Sequence, residues 1–70
     1  MSDLSGFSGH EVIAVLIKMG FSHSRTKGFH AVMRRGGAVC VVPLHNELAP
    51  GTLKSVLRQA GITKEEFLAY

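Results

Sequence analysis

Seventy residues support one domain, and a chain this short buries only about 60% of the surface its unfolded form exposes, so a second domain, a long lid or a deep cofactor pocket would be hard to build. The hydrophobic fraction of 46% argues for a folded core drawn from Val, Leu, Ile, Met and four Phe, since there is no Trp. A net charge of +3 and a pI near 9.5 favour a polyanionic partner, nucleic acid or an acidic protein, while the single cysteine, Cys40, excludes an internal disulfide and fits a reducing cytoplasm.

A single domain over 1–70 is expected, with residues 1–7 as a loose N-terminus of small and polar residues. Ser8 and Glu11 have capping-box spacing, and Val12, Val15, Leu16 and Met19 follow as one apolar helical stripe that Gly20 stops. Phe21 to Lys27 reads as a short polar strand punctuated by Gly28. From His30 to Arg34 the chain alternates, with His30, Val32 and Arg34 on one side and Ala31 and Met33 on the other. Arg35, Gly36 and Gly37 read as a hairpin turn. Ala38 to Val42 is almost wholly apolar, which suits either a strand buried on both faces or a sheet edge tucked under a helix, and Pro43 ends it.

Leu44 to Ala49 is a loop carrying His45, Asn46 and Glu47. Pro50 suits the first turn of a second helix, whose buried stripe is Leu53, Val56, Leu57 and Ala60, with Lys54 and Arg58 outside and Gly61 as its stop. Thr63 and Glu66 repeat the capping-box spacing before a short last helix. The fold class is therefore α+β, in the order α-β-β-β-α plus a short C-terminal helix. It has a three-stranded antiparallel sheet with both long helices on one face and the other face open. The longest apolar runs are six residues, far short of the roughly 20 that cross a bilayer, and no secretory signal opens the chain, so a cytoplasmic protein without membrane contact is expected.

Several segments resemble one family. Lys27-Gly28-Phe29-His30 is similar to the K-G-S-H motif of HicA toxins, and Val42-Pro43-Leu44-His45 to their V-P-x-H. Pro50-Gly51-Thr52-Leu53 with Leu57-Arg58-Gln59-Ala60-Gly61 resembles P-G-T-L…L-R-Q-A-G, and Lys64 to Leu68 resembles the family's ending. The likeness runs from about Ser8 to Leu68. It implies a double-stranded-RNA-binding-domain-like fold, cleavage of mRNA, neutralisation by a HicB-type antitoxin, and catalysis by His30. Phe29 departs from the motif's serine: a phenyl ring cannot hydrogen-bond a phosphate, but it can stack on a base.

The residues themselves can carry the chemistry that the resemblance implies, although a strand-end histidine by itself is more often a solvated surface residue. RNA carries its own nucleophile, the 2′-hydroxyl, so cleavage needs proton transfer and charge neutralisation. Histidine suits the first because its unperturbed pKa of about 6.5 lies near operating pH; Lys and Arg suit the second. His30 is the candidate general acid or base, Lys27 the candidate phosphate contact, and His45 a candidate second proton-transfer group. Gly28 permits close approach of the RNA backbone. Arg25, Lys27, Gly28, Phe29, Arg34 and Arg35 are the candidate RNA-binding residues. No metal or other cofactor is expected, because the histidines at 10, 23, 30 and 45 lack the close pairs typical of zinc ligands. His10 and His23 read as surface residues. The rival reading is a non-catalytic RNA-binding or antitoxin-binding module on the same fold.

Overall fold

Ser8 opens α1 (Gly9–Lys18) through the expected capping box: its hydroxyl accepts from the Glu11 amide at 3.1 Å, and the Glu11 carboxylate accepts from the Ser8 amide at 2.8 Å. The structure, a computed structural model describing residues 4–70, continues with β1 (Ser22–Lys27), β2 (His30–Arg35), β3 (Ala38–Pro43), α2 (Pro50–Ala60) and α3 (Lys64–Leu68). Thr63 and Glu66 cap α3 in the same reciprocal way. The strands form one antiparallel sheet in the order β1-β2-β3. Both long helices pack on one face of it and leave the other open, which is the double-stranded-RNA-binding-domain-like arrangement. No helix among the described residues is long and apolar enough to cross a membrane.

The core lies between the sheet's inner face and the helices. Met33 from β2 and Cys40 and Val42 from β3 cluster with Val12 and Leu16 of α1 and Leu53, Val56 and Leu57 of α2, and Ala31 of β2 is also buried. Each large aliphatic side chain buried here contributes about 1.5–3 kcal/mol by leaving water. Strand β3 alternates despite its apolar composition, because Val39 and Val41 point to the open face. Of the two readings open for it, the sheet edge applies: α2 packs against β3, and the Gln59 side-chain oxygen accepts from the Val41 amide at 3.1 Å, covering part of the exposed edge.

The expected loose N-terminus needs correcting from residue 4 onward; residues 1–3 lie outside the described residues. Leu4 is buried in the core, the Phe7 ring meets Phe67 edge-on at 5.2 Å, and the Phe7 carbonyl accepts from the Leu48 amide at 2.7 Å. The α2–α3 side of so small a domain has an apolar surface to cover, and these two residues cover part of it.

Burial pushes the Cys40 thiol up from its ordinary 9.0 to about 11. Between those values the folded chain holds a proton that the unfolded chain has lost, so the group's contribution is complete below pH 9 and disappears as pH rises through 11. Denaturant midpoints are expected to fall over that window in the parent and to fall less in Cys40→Ala. Equal slopes would refute the assignment.

Candidate nucleic-acid interface and active site

Two tight turns set which residues share a face. Lys27 pairs with His30, so Gly28 and Phe29 alone make the first turn; Arg35 pairs with Ala38, so Gly36 and Gly37 alone make the second. In each, the leading glycine has positive φ, 60° at Gly28 and 58° at Gly36, and the following residue does not. That is the type II′ pattern, whose first position needs glycine.

Residues opposite one another in a sheet lie on one face. The open face therefore carries three cross-strand rows: Lys27, His30 and Pro43; Arg25, Val32 and Val41; Ser22, Arg34 and Val39. Strict alternation from the buried Phe21 would have turned Arg25 and Lys27 toward the helices. A β-bulge between His23 and Arg25 shifts the phase and brings both cations out beside His30. None of the three strands contains Asp or Glu, so the face is positive over β1 and β2 and apolar over β3, where Val39 and Val41 are each 37% exposed.

His30 is exposed at the first position of the central strand, flanked by Lys27 and Pro43. The loop carrying the second motif histidine is fastened to the same end of the sheet. The Leu44 amide donates to the Phe29 carbonyl at 2.7 Å, and the Gly9 amide donates to the His45 carbonyl at 2.9 Å. Chain segments 27–30 and 42–45 thus converge, with Lys27, Gly28, Phe29, His30 and His45 all solvent-accessible. His23 and Thr26 lie on the opposite face and bond each other, Nε2 to Oγ1, at 2.7 Å. The cleft lined by Leu4, Pro50, Gly51, Lys54 and Lys64 includes neither His30 nor His45.

Arg35 separates from the other candidate RNA contacts. The turn is two residues long, so Arg35 belongs to β2 and continues the Ala31–Met33 phase. Its guanidinium donates to the Met19 carbonyl at 2.9 Å and lies 4.7 Å from the Phe21 ring centre, closing the end of α1. Arg35→Ala is expected to lower stability by about 1 kcal/mol while leaving RNA affinity within roughly twofold. Arg34→Ala is expected to do the reverse and to flatten the salt dependence of binding by about one ion. Paired melting and salt-titration curves check both, and equal effects of the two variants would refute the division.

Sequence reading missed two parts of the site. The valines of the open face were hidden by the uniform apolarity of β3; only the register exposes them. Gly9 was hidden because its role is contact rather than conformation: a methyl group there would run into the Pro43 carbonyl oxygen and lie 2.9 Å from the Leu44 Cα.

The fold and site define a small α+β domain with an open basic sheet face and a histidine at one end of the central strand. The family described as "HicA toxin of bacterial toxin-antitoxin" matches residues 9–62, which takes in every strand, both long helices and the two histidine motifs. The chain belongs to the HicA toxin family of bacterial toxin–antitoxin systems. Comparison with curated proteins gives no match.

Proposed function

We propose that this HicA-family chain is a metal-independent endoribonuclease that cleaves mRNA in the cytoplasm and is held inactive by a HicB-type antitoxin. The observation that carries this is the meeting of His30 with Lys27 and Gly28 at one end of an acid-free, open sheet face. In the proposed reaction the RNA 2′-oxygen attacks the adjacent phosphorus and loses its proton to a base. The bond from phosphorus to the 5′-oxygen breaks, that oxygen takes up a proton, and a 2′,3′-cyclic phosphate remains. His30 supplies one of these proton transfers, and Lys27 neutralises charge on the phosphate. His45, held at the same end of the sheet, is the histidine available for the other.

The same face suits the antitoxin. Acidic groups would meet Arg25, Lys27 and Arg34, apolar groups would cover Val39 and Val41, and the complex would deny RNA access to His30. A second reading, a non-catalytic RNA-binding module, is favoured by Phe29 standing where the family motif has serine. Incubating the purified chain with RNA in excess chelator separates the two. Cleavage with cyclic-phosphate ends, absent on 2′-deoxy substrate and lost in His30→Ala, supports the nuclease. Salt-sensitive binding without cleavage supports the module.

A further inference from the structure

Phe29 is the most exposed large hydrophobe among the described residues, at 72%, and no fold requirement places it there. The second position of its turn has ordinary φ, and polar residues such as Asn, Asp and Ser serve there without exposing a ring to water. Its backbone is nevertheless firmly held. The Lys27–His30 pair closes the turn on the sheet side, and the Leu44 amide grips the Phe29 carbonyl from the other. The ring is thus presented on a rigid mount, which lowers the entropy lost when something lies against it. It is next in the chain to His30 and one residue removed from Lys27.

We propose that Phe29 is a base-stacking platform that selects an unpaired nucleobase, purine over pyrimidine, beside the phosphate presented to His30; this rests on the RNA-cleaving reading above. An exposed aromatic ring two positions along the chain from a lysine fits a base whose own phosphate lies within reach of that cation. A duplex hides both faces of every base in its stack, whereas an unpaired strand can splay one out onto the ring. The platform therefore selects an unpaired strand at the His30 end of the sheet, although the fold is of a kind that elsewhere reads duplex shape. Purines are favoured because the larger ring system covers more of the phenyl face.

The chain contains no tryptophan, so Phe29→Trp creates a single fluorescent reporter at this position. The probes are a short single-stranded 2′-O-methyl RNA, which cannot be cut, and an abasic strand of equal length and charge. The parent and Phe29→Trp are expected to bind the base-bearing strand about tenfold more tightly than the abasic one, and Phe29→Ala to bind both alike. The tryptophan emission is expected to be quenched by the base-bearing strand only, and more by purine-rich than pyrimidine-rich sequence. If Phe29→Ala keeps the parent's preference for bases, the platform is refuted while RNA binding stands. If the parent binds neither strand, the RNA reading falls with it. If Phe29→Ala binds RNA as the parent does but loses affinity for an acidic protein partner, the ring belongs to a protein contact and the proposal is overturned.

Discussion

Replacing His30 by alanine is expected to slow RNA cleavage at least about a hundredfold, because a positioned proton-transfer group contributes roughly 10²–10⁴ in rate. Binding of an uncleavable RNA should change far less, since the cations around it remain. The variant should also fold normally. His30 is exposed, and its place in the sheet depends on main-chain pairing with Lys27 and Pro43 rather than on its ring. Single-turnover cleavage with saturating protein isolates the chemical step from binding. In cells, inducing the parent should arrest growth and deplete mRNA, and inducing His30→Ala should do neither. A variant that cleaves within about threefold of the parent would remove His30 from the chemistry. In that case His45, at the same end of the sheet, would be the next residue to replace.

Gly9→Ala is expected to be the most damaging glycine-to-alanine change among the described residues, costing about 3 kcal/mol and lowering the melting temperature by on the order of 15 °C. Alanine is ordinarily the better helix former by about 1 kcal/mol, so propensity alone predicts the opposite sign. The difference is contact. The added methyl would collide with the Pro43 carbonyl oxygen and would meet the Leu44 Cα at 2.9 Å and the Pro43 carbonyl carbon at 3.1 Å, all main-chain atoms that cannot swing aside. Relief requires α1 to back away from the end of β3, which breaks the hydrogen bond from the Gly9 amide to the His45 carbonyl. Because the same loop grips Phe29 through Leu44, cleavage should suffer alongside stability. Gly51 is the control. It also lies in the first turn of a helix, but a Cβ there meets nothing within 4 Å, so Gly51→Ala should stabilise by about 0.5 kcal/mol. Thermal melts of both variants check the pair. Gly9→Ala as stable as the parent would show that the helix end yields more readily than its contacts imply.

Much of this protein could be read from local signals. The capping boxes at Ser8–Glu11 and Thr63–Glu66 act within one turn of helix, and the apolar stripes of α1 and α2 report a burial periodicity carried by the sequence itself. The histidine motifs were legible for the same reason, as short segments of fixed residue order that the family match spans. Tertiary structure decided which residues share a face. Strand phase depends on turn length and on bulges, and a shift of one residue moves every later side chain across the sheet. A two-residue turn instead of one that includes Arg35 sends that arginine to the helix side. The bulge between His23 and Arg25 returns Arg25 and Lys27 to the side of His30. Phe7 and Gly9 were invisible to local reading because their roles come from partners 34 to 60 residues away, among them Pro43 and Phe67. Sequence by itself determined the elements and their order, and it nominated His30 as the candidate catalytic histidine. Only the packed sheet determined which charges stand beside it, because register is a property of paired strands and not of any one of them.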